Sequence, residues 1–146
     1  MKKYAGRAIV ENRYFQEVLD SHELILEWLS TPDAPQETYD TLLSRFSPAF
    51  SMVTTGGSQL NYRTLASFFL AQSGTKAGLT INIDDLALIA ESAMGATVSY
   101  QEPQQRPGQT ATTRFSTAVF ELDAENNVIW RHLQETALPL KNDIES

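Results

Sequence analysis

Hydrophobic positions in the first half of the chain repeat with the spacing of an α-helix. In residues 9–29 the repeating positions are Tyr14, Val18, His22, Ile25 and Leu29, which predicts one long amphipathic helix. Two shorter helices are predicted at residues 35–46 and 61–73, with Asn61 as the amino-terminal cap of the second one.

In the second half of the chain the hydrophobic period changes from that of a helix to that of a strand. Leu79, Ile81 and Ile83 share one face, whereas Leu86 and Leu88 have the opposite parity, which predicts a bulge near residue 84. Further strands are predicted at residues 49–54, 96–104, 114–122 and 128–138, and the polar segment 123–127 joins the last two as a hairpin. The pattern therefore predicts an α+β fold in which three helices pack on one bent sheet and enclose a cavity.

Composition and charge narrow the possible functions. The chain has 146 residues, which suits a single domain spanning residues 1–146 with its core at about residues 8–138. The net charge of −7 argues against a broad basic surface for nucleic acid or for an anionic membrane. No segment has the pattern of a signal peptide or a membrane span, so a cytoplasmic location is expected. The absence of cysteine excludes disulfides, thiol nucleophiles and thiolate metal sites.

The order of the elements and the last hairpin resemble a known superfamily. Residues 118–123 read AVFELD and residues 130–136 read WRHLQET, and GLTINIDDL and ATVSYQEPQ precede them. These segments resemble the bacterial SnoaL-like and calcium/calmodulin-dependent kinase II association-domain branch of the nuclear transport factor 2-like superfamily. That branch often has His-x-His-x-Ser where this chain has His132, Gln134 and Thr136. The resemblance implies a cone-shaped, cystatin-like α+β fold with three N-terminal helices on a strongly curved mixed or antiparallel sheet, and a homodimer.

The two faces of the closing hairpin are expected to have different roles. The resemblance places the pocket arginines on the parity of Arg114, Arg131 and Glu135, which we therefore expect in the cavity. A one-residue change of register would reverse the assignment. The opposite parity is expected to form a dimer interface, because an apolar patch on the outer face of a sheet usually marks one. Its predicted residues are Phe115, Val119, Trp130 and His132.

Tyr100 and Glu102 share a parity on the preceding strand and are expected to contact the ligand, and Glu102 is expected to pair with Arg114 or Arg131. These charges can form an ion-pair network that only closes the cone, or an arginine site for a small carboxylate. His22 lies within an apolar helix face, where it is either a bonded core histidine or a ligand-binding group and general base.

Tyr14 lies two turns before His22 on the same helix face. Tyrosines of the first helix serve as acids or oxyanion donors in some isomerases of the resembling superfamily, so Tyr14, His22 and Glu102 are the catalytic candidates.

No metal site and no cofactor are expected, because the chain has two histidines, no ligand-spaced cluster and no glycine-rich phosphate loop.

Three functions remain open after this reasoning. The first is a pocket that binds a small polar or anionic molecule with an apolar body, without chemistry. The second is a lyase, isomerase or cyclase that uses acid–base catalysis in the cone. The third is a structural dimerisation module. A binder needs only a preformed pocket, whereas an enzyme needs a titratable group with a shifted pKa, so the sequence favours the binder.

Overall fold

The structure is a computed structural model that describes residues 12–139. Three helices precede most of a seven-stranded sheet. In chain order the elements are α1 (Arg13–Ser30), α2 (Gln36–Leu43), β1 (Phe46–Val53), β2 (Gln59–Asn61), α3 (Tyr62–Ala71), β3 (Thr80–Ile81), β4 (Asp84–Ser92), β5 (Gly95–Gln105), β6 (Thr112–Leu122) and β7 (Val128–Ala137). Residues 8–11, which the sequence placed in the core and partly in the first helix, lie outside the described part of the chain.

Local signals in the sequence account for the ends of the helices. The Asn12 side chain accepts hydrogen bonds from the first turn of α1, and α1 ends before Pro32, which disfavours a helical residue ahead of it. Asn61 and Thr64 form a reciprocal capping box at the start of α3. The predicted helices are confirmed, with ends that differ by a few residues.

The sheet is mixed, with strand order β2-β1-β7-β6-β5-β3, and β4 also pairs with β5. β1 runs parallel to β7, and every other pair is antiparallel. The predicted break near residue 84 is present, because the register shifts between Asp84 and Ala87 and Asp85 has a φ of 57°. The expected α+β cone with a curved mixed sheet is therefore confirmed.

The closing hairpin contains an irregularity that the sequence did not reveal. Val119 pairs with His132, but Phe120 pairs with Trp130, so Arg131 is the extra residue of a β-bulge. The bulge turns Trp130 toward the core, where it is 1% exposed. The prediction that Trp130 lies on the outer face is therefore wrong. The prediction that Arg131 lies in the cavity is also wrong. Its Nη1 donates to the carbonyl oxygen of Ala49 at 2.7 Å, and Arg131 does not line the cavity.

The core lies between the helices and the concave face of the sheet. Trp130 is its centre, and its ring packs within 6.0 Å of three other rings, those of Phe46, Phe120 and His22. The indole N–H donates to Glu17 and to Ser21 on α1, which fixes the helix against β7. Glu17 is buried and also accepts from Arg45 at 2.7 Å, so its charge is compensated.

Candidate functional site

The described residues enclose a cavity of about 630 Å³ between the helices and the concave face of the sheet. This volume is in the range of pockets that hold small organic molecules. One wall is apolar and comes from the helices, β1 and the segment before β3. Its main residues are Ile25, Leu29, Phe46, Phe50, Met52, Leu65, Phe68, Phe69 and Leu79.

The inner end of the cavity is polar. Glu102 on β5 lies directly opposite Arg114 on β6, and Glu135 reaches the same place from β7. Arg114 Nη1 donates to Glu135 Oε1 at 3.1 Å, and His22 Nε2 donates to Glu102 Oε1 at 3.1 Å. The structure thus brings together four residues that the sequence selected on separate elements.

His22 has an acceptor at each ring nitrogen. Its Nδ1 lies 2.7 Å from the carbonyl oxygen of Val18, and its Nε2 faces the Glu102 carboxylate. Burial by itself lowers the pKa of His22, but the charge and hydrogen bond of Glu102 outweigh burial and raise it above 6.5. Two acceptors and a raised pKa stabilise the imidazolium form. An imidazolium has no free lone pair, so the predicted role of His22 as general base is not supported by this geometry.

The two carboxylates differ in their surroundings. Burial raises the pKa of Glu102, but His22, Arg114 and the Gln104 amide together hold it below its ordinary value. Burial also raises the pKa of Glu135, and there the opposing effect of Arg114 does not suffice, partly because Glu102 is a like charge nearby. Glu135 is therefore the carboxylate of this site that takes up a proton more readily.

Three buried hydroxyl groups near the core have no hydrogen-bond partner within the described residues: those of Tyr14, Tyr100 and Ser116. Tyr100 packs edge-on against His22 but does not line the cavity, contrary to its prediction as a ligand-binding residue, and burial raises the pKa of Tyr100 well above 10. Its hydroxyl is therefore protonated, and Ser116 lies close enough to affect it without a hydrogen bond of ordinary geometry. Tyr14 stacks on Phe120 and does not line the cavity, so the structure does not bring it to the other candidates.

Sequence reasoning did not identify two cations of the cavity. Lys76, in the loop after α3, and Arg106, between β5 and β6, line the cavity and make no ion pair with another described residue. Both lie in loops, where no periodicity indicates which way a side chain points. The buried Glu17 was likewise not selected, because a charged residue in an amphipathic helix is usually exposed.

The outer face of the sheet carries the remaining predicted interface residues. Phe115 is 46% exposed, and Val119 and His132 are partly exposed on the same side. His132 Nδ1 forms a hydrogen bond of 2.7 Å with the Ser51 hydroxyl on β1. These three residues are placed together, and Trp130 is not among them.

Residues 12–139 contain neither a metal-binding cluster nor a helix suited to crossing a membrane. No cluster of three or more His, Asp or Glu side chains in this range has the geometry to hold a metal ion. No helix in the same range combines the length and the apolar character that crossing a membrane requires.

The chain is similar to several solved structures. A nuclear transport factor 2-like protein of unknown function from Pseudomonas aeruginosa is 38% identical, with a TM-score of 0.82 over 88% of this chain and 100% of that one. A candidate ketosteroid isomerase from Shewanella frigidimarina has a TM-score of 0.67 at 13% identity, over 86% of this chain and 96% of the other. A candidate calcium/calmodulin-dependent kinase II association domain from Exiguobacterium sibiricum has a TM-score of 0.61 at 11% identity, over 92% of this chain and 100% of the other. No family profile and no curated protein sequence matches the chain.

Proposed function

The chain belongs to the nuclear transport factor 2-like family, and we propose that it uses its cavity to bind a small organic molecule with an apolar body and an anionic head. The family does not determine the function, because one fold of this kind carries many activities. The proposal rests on the cavity itself, which has an apolar wall and a polar inner end.

The charge of the lining supports an anionic ligand. The cavity has two carboxylates, Glu102 and Glu135, and four groups that carry positive charge when His22 is protonated: His22, Lys76, Arg106 and Arg114. This excess is the reverse of the net charge of −7 for the whole chain. The positive charges of the lining attract an anion once it is inside the cavity, where they are closer to it than the negative charges elsewhere on the protein.

The proposal is tested with octanoate and its neutral analogue octanol, each titrated by calorimetry. Octanoate is expected to bind more tightly than octanol, and Arg114→Met is expected to remove most of that difference. Arg63→Met is the matched control, because Arg63 is an exposed cation outside the cavity. Absence of binding by both probes, and by a screen of other acids and ketones, would contradict the proposal.

A second candidate function is acid–base catalysis by Glu135. The observation that favours it is a carboxyl group of raised pKa that lines a largely apolar cavity. A similar structure carries the name of a ketosteroid isomerase, but at 13% identity this likeness concerns the fold. Exchange of the α-protons of 2-octanone in D₂O, followed by NMR, tests the idea. Exchange that Glu135→Gln leaves unchanged would exclude Glu135 as the base.

We also propose that the outer face of the sheet pairs with a second copy of the chain. Phe115 is the exposed aromatic residue of this face, and Val119 and His132 extend it. Light scattering at micromolar concentration is expected to give the mass of a dimer, and Phe115→Glu to give that of a monomer. Leu70→Glu is the control, since Leu70 is 57% exposed but lies on α3. A monomeric parent protein would contradict the proposal.

A further inference from the structure

We propose that a ligand carboxylate displaces Glu135 from Arg114 and that Glu135 takes up one proton as the ligand binds. This inference rests on the proposed function and specifies its ligand class: monocarboxylates whose binding is coupled to proton uptake. It follows from the arrangement of Arg114 and its neighbours at the inner end of the cavity.

Arg114 is the group that a carboxylate can reach and recognise there. Its side chain is 30% exposed and the Glu135 side chain is 7% exposed, so the guanidinium is the more accessible of these two lining groups. One hydrogen bond, from Nη1, joins the pair. A guanidinium has five N–H donors and binds carboxylates through two of them at once. A ligand that makes such a bidentate contact competes directly with the single bond to Glu135.

The charges around Arg114 show why a proton must be taken up when a ligand carboxylate replaces Glu135 there. Arg114 and His22 offset Glu102 and Glu135 at the inner end of the cavity, where both carboxylate side chains are at least nine-tenths buried. A third carboxylate at Arg114 leaves one negative charge in excess at this buried end of the cavity, because the other two cations of the lining, Lys76 and Arg106, are partly exposed loop residues. Such an excess costs more free energy than neutralising one of the acids, so one carboxylate is expected to be protonated.

Glu135 is the acid that takes up the proton, because Glu102 keeps its hydrogen-bond partners. Glu102 retains the bond from His22 and the bond from the Gln104 amide, neither of which the ligand disturbs. Glu135 is faced by Arg114 from β6, by Glu102 and Tyr100 from β5, and by His22 from α1. Burial and Glu102 already favour its protonated form, and loss of Arg114 removes the strongest opposing influence.

The neighbouring hydroxyl groups can hold a protonated Glu135. Ser116 lies directly opposite Glu135 across β6 and β7, and Tyr100 lies opposite Ser116 across β5 and β6. Both hydroxyl groups are buried, and neither makes a hydrogen bond of ordinary geometry with another described residue. Directly opposed side chains on one face are close enough to interact. The row of Tyr100, Ser116 and Glu135 therefore gives the displaced carboxyl group new partners.

Calorimetric titration with octanoate in two buffers of different ionisation enthalpy measures the protons taken up on binding. We expect close to one proton per octanoate at neutral pH and none per octanol. Between pH 6 and pH 8 the octanoate affinity is expected to fall by up to about tenfold per pH unit, as linkage requires for one proton. Glu135→Gln imitates the protonated acid, so it should abolish proton uptake and bind octanoate at pH 8 about as tightly as the parent protein does at pH 6.

Glu125→Gln is the control, because Glu125 is an exposed carboxylate in the turn between β6 and β7. If Glu135→Gln does not fold, infrared difference spectra of the parent protein replace it: a protonated carboxyl band must appear when octanoate binds. Three results would each overturn the inference without contradicting ligand binding in the cavity. They are octanoate binding without proton uptake, proton uptake that persists in Glu135→Gln, and binding of octanol but not of octanoate. Failure of both probes to bind would instead remove the proposed function on which the inference rests.

Discussion

Replacing Glu102 with Leu is expected to destabilise the protein by an amount that depends on pH. The variant leaves His22 with a side-chain exposure of 6% and without its carboxylate partner. Removing one partner of a buried ion pair costs about 3–5 kcal/mol. Because the imidazole can lose its proton, we expect about 3 kcal/mol near pH 7.5. For a domain of this size each kcal/mol lowers the melting temperature by about 2–4 °C.

The direction of the pH dependence follows from the pKa of His22. In the parent protein this pKa is raised above 6.5. The stabilising contribution of protonated His22 is therefore complete below pH 6.5 and is lost as the pH rises through the pKa that His22 has in the folded state. In the variant, burial without Glu102 lowers the pKa, so stability falls as the pH drops below 6.5. The difference between the two proteins should therefore grow by about 1.4 kcal/mol between pH 6.5 and pH 5.5.

Thermal and urea unfolding at both pH values measure the effect, with His22→Leu/Glu102→Leu as the reference. The double variant has no buried imidazole without its carboxylate partner, and apolar replacement of a buried pair is often close to neutral. We expect it to be more stable than Glu102→Leu and to lack the pH-dependent part of the loss. A penalty in Glu102→Leu that is equal at both pH values, or additive effects of the two single substitutions, would refute the pairing of His22 with Glu102.

Two further predictions concern the packing of the core. Trp130→Phe removes the indole hydrogen bonds to Glu17 and Ser21. It should lower the free energy of urea unfolding by about 1.5–3 kcal/mol, the range for hydrogen bonds to a charged group, and a decrease below about 0.5 kcal/mol would contradict this. Gly95→Ala should cost about 3 kcal/mol, because the added Cβ would lie 2.1 Å from the carbonyl oxygen of Phe120. Gly56→Ala has no atom within 4 Å of its Cβ and should stay near the parent stability.

Much of the fold could be predicted because its signals are local. Helical spacing indicated α1, the Asn61 cap indicated the start of α3, and the change of parity at Asp84 indicated a bulge. The bulge at Arg131 left no such signal, because Ile129 and Trp130 are both large and apolar and either can face a core. A shift of one residue then reversed the predicted faces of Trp130 and Arg131.

The sequence predicted which residues form the candidate site, but it did not predict which of them pair with each other. His22, Glu102, Arg114 and Glu135 were each selected from the sequence and meet in one cavity. The expected partner of Glu102 was an arginine, yet its hydrogen bond comes from His22, eighty positions earlier in the chain. Whether Glu102 pairs with His22 or with an arginine depends on how closely α1 packs on the sheet. That distance is set by the volume of side chains such as Trp130.

The parallel pairing of β1 with β7 has a consequence for how the protein folds. Strands β4 to β7 join through short hairpins, and β1, β2 and α3 are neighbours in sequence. The contact of Ser51 with His132, by contrast, closes a loop of 81 residues. Because long loops lose more chain entropy on closure, this contact is expected to form after the local hairpins. The cavity takes walls from both sides of this junction, so it is complete only after these two strands have paired. A ligand should therefore slow unfolding and leave the folding rate almost unchanged.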